Sequence, residues 1–459
     1  MKPIRELTQL WRRFARTDLA SNAMWSAIGE AIFRGIALIT TAIVARVLGA
    51  ADFGVFGLVR NAANQFGGVG SAGLGLTANR YLPAYLRTDR PRAGAVIGTS
   101  LGISALVGML LAAAGFTASD WIATSLFGKP ELEKIVWLAV ALVVVAGVSG
   151  AQLGIIQGLE AFRSLAFGYL ISGIAGGAAM LVGAYSFGLQ GALAGLATMA
   201  VANLLVFHLL IIREARKQGV RILWWEWRPL TAVLLGFSLP TALITIAIGP
   251  LRWFAESLLA RTSGFAEAGM FYAGMIVFSL VVGLVMTLHS PLMALVSRRT
   301  AEGTVGGLPW VSLYASWFAF LIVSMPLLAF PALPARLLGA DYPPELFSRV
   351  MLLILLYSGL QSYAQGLSRA IVQSGSMWFQ LLLSVVEGVV LIVAFLLLAD
   401  KGSVGLALAC VLSYSARLAI TVPAVARSRV VEPALLADRW FLVSLGAFLT
   451  ALAVQWTSI

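Results

Sequence analysis

The sequence predicts an all-α polytopic membrane protein made of two similar six-helix halves, and three observations carry that prediction. The first is apolar content: 60% of the 459 residues are hydrophobic and only 11% are charged, more apolar chain than a soluble surface tolerates. The second is a duplication. A-R-V-L-G-A-A-D-F-G-V-F at 45–56 returns as A-R-T-S-G-F-A-E-A-G-M-F at 260–271. Ala45, Arg46, Gly49, Ala51, Gly54 and Phe56 meet Ala260, Arg261, Gly264, Ala266, Gly269 and Phe271 without a gap, and Asp52 meets Glu267, at an offset of 215 residues. G-L-Q-G-A-L-A at 188–194 recurs as G-S-V-G-L-A-L at 402–408, an offset of 214. A nearly constant offset is the mark of an internal repeat, common among secondary transporters.

The third observation is the sidedness of charge. The net charge of +12 would suggest nucleic acid in a soluble protein, but here its position matters more than its amount. With the N-terminus inside, cytoplasmic segments hold Lys2, Arg5, Arg12, Arg13, Arg16, Arg87, Arg90, Arg92, Arg163 and the run Arg213, Arg216, Lys217, Arg221 and Arg228. Arg298, Arg299, Arg427, Arg429 and Arg439 fall on the same side. The opposite side carries only Arg46, Lys129, Lys134, Arg261, Arg336, Arg349 and Lys401. The positive-inside rule therefore places the N-terminus in the cytoplasm.

A span needs about 20 mainly apolar residues. The sequence offers twelve such segments: 19–48, 53–84, 93–117, 134–158, 165–187, 189–212, 231–262, 265–296, 309–330, 347–372, 377–399 and 403–424, with a thirteenth candidate at 440–456. The organisation expected is an amphipathic interfacial helix at 1–18, an N-lobe at 19–212, a cytoplasmic linker at 213–230, a C-lobe at 231–424, and a cytoplasmic segment plus the thirteenth span at 425–459. Ile4, Leu7, Leu10, Trp11 and Phe14 form one stripe of the first helix among basic residues, a pattern suited to an anionic inner leaflet and unlike the continuous apolar core of a signal peptide. The linker ends in Trp224, Trp225 and Trp227, which suggests a second interfacial helix with indoles at headgroup level. Each lobe has an even number of spans, so both begin on the same side and are related by an axis along the membrane normal.

Charges inside spans point to function. Glu30 and Arg34 stand four residues apart on one face of span one, and Arg252 with Glu256 repeats the spacing in span seven, predicting two acid–base pairs. Pro240 and Pro250 should bend span seven. Span two is rich in glycine and polar groups, with Arg60, Asn61, Asn64, Gln65 and Arg80, so its amides line a wet cavity or bond across to another helix. Arg369, Glu387 and Arg417 complete the set. Arg34, Arg60, Arg80, Arg252, Arg369 and Arg417 outnumber Glu30, Glu256 and Glu387, and the interior is net cationic. An arginine facing lipid at mid-bilayer costs roughly 2.5 to 3.5 kcal/mol on insertion scales, so several together belong around a polar cavity. Their permanent charge and donor fork suit a phosphate or pyrophosphate group.

The bland readings differ by position. Arg80 and Arg369 lie near inner span ends and can snorkel to headgroups; Arg60 lies about 10 Å from the outer end; Arg34 and Arg252 can simply neutralise their glutamates. Arg46 and Arg261 end helices, where a cation meets the negative terminus. Glu387 has no base three or four residues away, so it pairs across helices or titrates as a coupling group. His208 and His289 read as core histidines, as does the single Cys410. Two histidines, one cysteine and short loops leave no metal cluster, phosphate-binding loop or catalytic constellation. An enzyme is not expected and no cofactor is needed; energy for transport would come from a proton or sodium gradient.

Asn22, Trp25, Arg34 and Gly35, the motif at 45–56, and G-L-G-L-T-A-N-R-Y-L-P-A-Y-L-R-T-D at 73–89 resemble the polysaccharide-transport branch of the multidrug/oligosaccharidyl-lipid/polysaccharide (MOP) exporter superfamily, the Wzx-type O-antigen flippases. The resemblance covers nearly the whole chain. It implies a MATE-like fold of two six-helix lobes around a central cationic cavity. It further implies an inner-membrane flippase moving undecaprenyl-pyrophosphate-linked oligosaccharide to the periplasmic leaflet by alternating access, working beside polysaccharide polymerase and export machinery. On that resemblance Arg34 matches the family's first-span arginine, and the other buried arginines would hold pyrophosphate. A thirteenth span departs from the simplest twelve-span form. A lipid II flippase, a MATE-type cation or drug exporter, a membrane polymerase and a non-transporting scaffold are the competing readings.

Overall fold

The computed structural model describes residues 18–287, 308–331, 333–339, 341–373, 377–428 and 438–459. The helix expected at 1–18, but for its last residue, and His289 lie outside the described residues. Helices follow one another: α1 Asp18–Gly70, α2 Leu74–Thr88, α3 Arg90–Thr117, α4 Glu133–Gly158, α5 Phe162–Lys217, α6 Leu239–Ser263 and α7 Phe265–Thr287. After them come α8 Leu308–Ala329, α9 Leu333–Leu338, α10 Pro344–Gln373, α11 Met377–Leu397, α12 Gly402–Ser428 and α13 Arg439–Ser458. Among the described residues there is no strand. Among the described residues ten helical stretches are long and apolar enough to cross a membrane, and α1 and α5 each hold two of the expected spans. The protein is therefore a multi-pass membrane protein.

The duplication is written into the backbone. Gly49, at φ 72° and ψ 173°, folds α1 between spans one and two; its repeat mate Gly264, at φ 93° and ψ 163°, separates α6 from α7. Gly188, at φ 58° and ψ −135°, folds α5, and its mate Gly402 stands at φ 57° and ψ −132°. Side chains other than hydrogen rarely occupy these regions, which is why glycine recurs at both offsets. Gly188→Ala is expected to cost about 1 to 3 kcal/mol from backbone strain alone. Gly402→Ala should cost more, because its added methyl would also meet Glu267 Oε2 at 2.7 Å, whereas nothing lies within 4 Å at Gly188. Melting temperatures in detergent would check the order.

The lobes meet where the repeat is tightest. The second arm of α1, 50–70, crosses α7 so closely that a methyl group on Gly54 would strike the Phe265 carbonyl, and one on Gly269 would strike the Ala50 carbonyl. These contacts are the same contact seen from each half, since Ala50 and Phe265 are themselves repeat mates. The crossing marks the pseudo-twofold axis.

Two seams flank this axis, and they differ. Along the seam between span two and span seven, Trp253 Nε1 donates to the Leu58 carbonyl at 3.2 Å, Trp253 packs edge-on to Phe66 and Phe127, and Thr77 Oγ1 bonds Ser238 Oγ at 2.6 Å, both buried. Span two is broken at 71–73, where Ala72 and Gly73 have φ of 48° and 67°, and the break rests on Ser238 and Thr241 of span seven. Span seven itself begins with a π-turn at Leu234–Ser238. The opposite seam, between span one and α7, is not closed in this way and holds a cavity.

The linker departs from expectation. Its helix stops at Lys217, and the chain then runs extended along α3, with Leu223 N donating to the Gly94 carbonyl at 3.1 Å. Gly94, Gly98 and Gly102, spaced one turn apart, leave a groove that admits the carbonyls of Arg221 and Leu223 and the Trp225 indole. Backbone pairing to α3, together with a left-handed Trp225 at φ 62°, replaces the helix the composition suggested. Trp224, Trp225 and Trp227 are exposed, as indoles at headgroup level should be. Beyond the lobes, α13 seats Phe441 and Phe448 among Tyr314, Trp317, Phe320 and Tyr363 and turns its other faces outward.

Candidate functional site

The cavity between the lobes encloses about 330 Å³ and is lined from span one, span two and α7. Phe53 and Phe56 stand toward the end nearer the Gly49 fold, Arg34 and Leu284 toward the other. Two cations enter it, Arg34 and Arg60, together with Asn61, Asn64 and Ser279, and no carboxylate is among the described lining residues. Arg34 lies against the backbone of Gly283, where an added methyl would stand 3.1 Å from its Cδ and Nη1; α7 has room for that side chain only because the residue is glycine. Arg60 is held by Thr41, whose Oγ1 donates to the Ala37 carbonyl at 2.6 Å and accepts from Arg60 Nη1 at 3.0 Å. That hydroxyl is oriented by its own helix and fixes one arm of the guanidinium. The other donors of Arg60 have no partner among the described residues.

Behind the cavity wall sits Glu256, 1% exposed. Its Oε2 accepts from Asn61 Nδ2 at 2.7 Å and from Tyr272 Oη at 2.9 Å, and its Oε1 is buried without a partner among the described residues. The expected Arg252–Glu256 pair is not formed. Glu256 turns toward the axis, while Arg252 turns into the C-lobe and donates through Nη2 to Tyr357 Oη at 2.5 Å and to Glu387 Oε1 at 3.2 Å. Four-residue spacing puts both on one side of α6, but their side chains reach different neighbours, Glu256 to Asn61 and Tyr272 and Arg252 to Tyr357 and Glu387.

Glu387 is the hub of that C-lobe network. Its Oε2 accepts from Arg417 Nη1 at 2.8 Å, while Arg417 Nη2 donates to Gln380 Oε1 at 2.8 Å. Gln361 Nε2 adds a bond to Tyr357 Oη at 2.8 Å. Glu387 thus pairs across helices and neutralises one of two arginines, leaving a buried unit with one net positive charge.

The six arginines therefore do not form one ring. Arg34 and Arg60 share the cavity, Arg252 and Arg417 share Glu387, and Arg80 stands apart at the end of the span two and span seven seam away from the Gly49 fold, exposed and stacked on Phe237 at 4.7 Å. The side chains of Arg369 and Glu30 lie outside the described residues. Tyr272, Tyr357 and Gln380 escaped sequence reasoning. No spacing links them to their partners, which stand 16, 105 and 37 residues away.

Fold comparison places this arrangement in a class. The chain superposes on the inward-facing conformation of a multidrug resistance MATE family transporter of the MOP superfamily with a TM-score of 0.69, at 15% identity over 88% of this chain and 98% of that one. It matches an outward-facing conformation of such a transporter less well, with a TM-score of 0.58, at 16% identity over 91% and 97% of the two chains. A MOP superfamily transporter from Pyrococcus furiosus, described as having a binding pocket of reverse polarity, gives 0.63 at 17% identity over 93% and 98%. No curated protein sequence matches the chain. The architecture is that of a MOP-superfamily transporter. Residues 19–296 match the model of the polysaccharide biosynthesis protein family, and the chain belongs to that family.

Proposed function

We infer that the protein is a flippase that carries an undecaprenyl-pyrophosphate-linked oligosaccharide from the cytoplasmic to the periplasmic leaflet of a bacterial inner membrane by alternating access, with its N-terminus in the cytoplasm. The observation that carries this reading is the cavity lined by Arg34 and Arg60 with no described carboxylate. Two permanent cations in a low-dielectric cleft suit a pyrophosphate, and Asn61 and Asn64 beside them offer the donors and acceptors that sugar hydroxyls need. The family match supports a glycan-bearing cargo. Arg252 and Arg417 lie outside the cavity lining and bind Glu387, so they are not the residues the pyrophosphate meets there. Glu256, buried at the junction of the lobes with one oxygen unpartnered among the described residues, is the carboxyl best placed to couple transport to an ion gradient. No enzymatic step and no cofactor enter this scheme.

A MATE-type exporter of organic cations would want the opposite cavity charge. A lipid II flippase shares the pyrophosphate chemistry and differs in the sugar. Binding to purified protein separates these readings: the sugar-linked isoprenyl pyrophosphate is expected to bind saturably, and an organic cation is not. Arg60→Ala should weaken that binding about ten- to a hundredfold, the loss of a charge-assisted hydrogen bond, with Arg34→Ala in the same range. Unchanged affinity in both folded variants would overturn the assignment of the cavity.

A further inference from the structure

The end of span two continues beyond the end of α4, with Leu82 buried and Tyr85 and Leu86 packed in one cluster with residues of α3 and α5. Asn79 Nδ2 donates to Gln157 Oε1 at 3.2 Å, and α4 ends one residue later at Gly158. The helix from Arg80 to Thr88 therefore runs on for about 12 Å at 1.5 Å per residue before turning at Asp89 into α3. Arg80, Arg87, Arg90 and Arg92 are exposed on this arm. Its one acid, Asp89, is engaged: it caps α3 at Arg92 N and pairs with Arg92 Nε at 3.1 Å.

Arg80 differs from the other three in being held. Its guanidinium lies 4.7 Å from the Phe237 ring centroid and 5.5 Å from that of Tyr81, and those two rings meet edge to face at 5.8 Å. It has no carboxylate partner among the described residues. Stacking fixes the plane of a guanidinium while leaving the donors along its edge free. The closer ring of the shelf, Phe237, comes from the other lobe, through the π-turn at Leu234–Ser238. Turns of this type insert a residue, rotate the next stretch of helix and concentrate at functional sites. Here the turn sets Phe237 under Arg80 and Ser238 against Thr77.

We propose that Arg80 on its Phe237–Tyr81 shelf is a docking site for a lipid-borne phosphate group at the cytoplasmic leaflet, separate from the Arg34 and Arg60 cavity. The proposal rests on the sidedness given with the flippase reading, and it adds a first contact that the cargo meets before the cavity. An exposed, pre-oriented fork at headgroup level recognises phosphate by two parallel hydrogen bonds, and the basic arm beyond it raises the local concentration of anions. Because Phe237 belongs to the other lobe from Arg80 and Tyr81, the site is complete only while the seam between span two and span seven is shut.

Phosphate on a lipid has two sources, the isoprenyl pyrophosphate cargo and an anionic glycerophospholipid, so the test uses both. Wild type, Arg80→Ala, Arg80→Lys and Arg60→Ala are placed in phosphatidylcholine nanodiscs and titrated with undecaprenyl pyrophosphate or, separately, with phosphatidylglycerol, bound lipid being counted by native mass spectrometry. Arg80→Ala is expected to weaken binding about tenfold or more in at least one arm, and Arg80→Lys nearly as much, because an ammonium neither stacks flat nor forks. Loss confined to phosphatidylglycerol supports the site and names the phospholipid as its ligand. Loss with undecaprenyl pyrophosphate names the cargo. Unchanged binding by Arg80→Ala in both arms, with an unaltered melting temperature, overturns the proposal, and full retention by Arg80→Lys overturns the stacked fork on which it stands. Failure of Arg60→Ala to affect undecaprenyl pyrophosphate would count against the cavity alone.

Discussion

Glu387→Gln is expected to destabilise the protein by about 3 to 5 kcal/mol, the usual cost of removing one partner from a buried ionic group. Glu387 is 4% exposed and lies between Arg252 and Arg417, at 3.2 and 2.8 Å. With the carboxylate gone, two guanidinium groups face each other across one amide in a medium that screens little. The double variant Glu387→Gln with Arg417→Gln should recover much of the loss, since it returns the unit from two positive charges to the wild type's one and leaves amides to bond one another. A network held only by shape would show no such recovery. Cys410, the one cysteine, is buried on α12, so a thiol-reactive fluorophore reports unfolding directly and ranks the three proteins.

Gly269→Ala and Gly54→Ala should each cost about 3 kcal/mol, the upper part of the overpacking range, because the obstacle each new methyl meets is a backbone carbonyl and not a side chain that can swing aside. Both substitutions wedge the same crossing. Once the lobes are forced apart the second methyl finds space, so the double variant should fall short of the sum by more than about 0.5 kcal/mol. Transport should drop with stability in all three. Additive losses would mean that the two glycines report separate contacts and that the axis does not run between them.

Much of this architecture was legible because it depends on short-range facts. Apolar length gave the spans. The recurrence of Gly49 as Gly264 and of Gly188 as Gly402 gave the repeat, since a backbone that only glycine adopts leaves a glycine in the sequence. The helix of α13 at 439–458 likewise follows from its apolar run. The site was legible in composition and not in arrangement. Arg34, Arg60 and Asn61 could be named from their cost in a membrane, yet nothing in the spacing of Arg252 and Glu256 shows that one serves the C-lobe and the other the axis. That split is made by partners on other helices, among them Tyr272 and Tyr357, residues that carry no charge and announce nothing. The linker misled for a related reason. Its basic and indole-rich composition marks the interface, but the groove of Gly94, Gly98 and Gly102 that draws it straight lies more than a hundred residues away in the chain.

That groove sets a mechanical limit. With the chain pinned to α3 as far as Trp225, what joins the two lobes at this end is the stretch from Trp225 to Thr231. Fully drawn out it reaches on the order of 20 Å, at 3.3 to 3.6 Å per residue. The connection is a short leash: it lets one half tilt against the other around the glycine crossing and forbids the mouth on that side from gaping wider than its length.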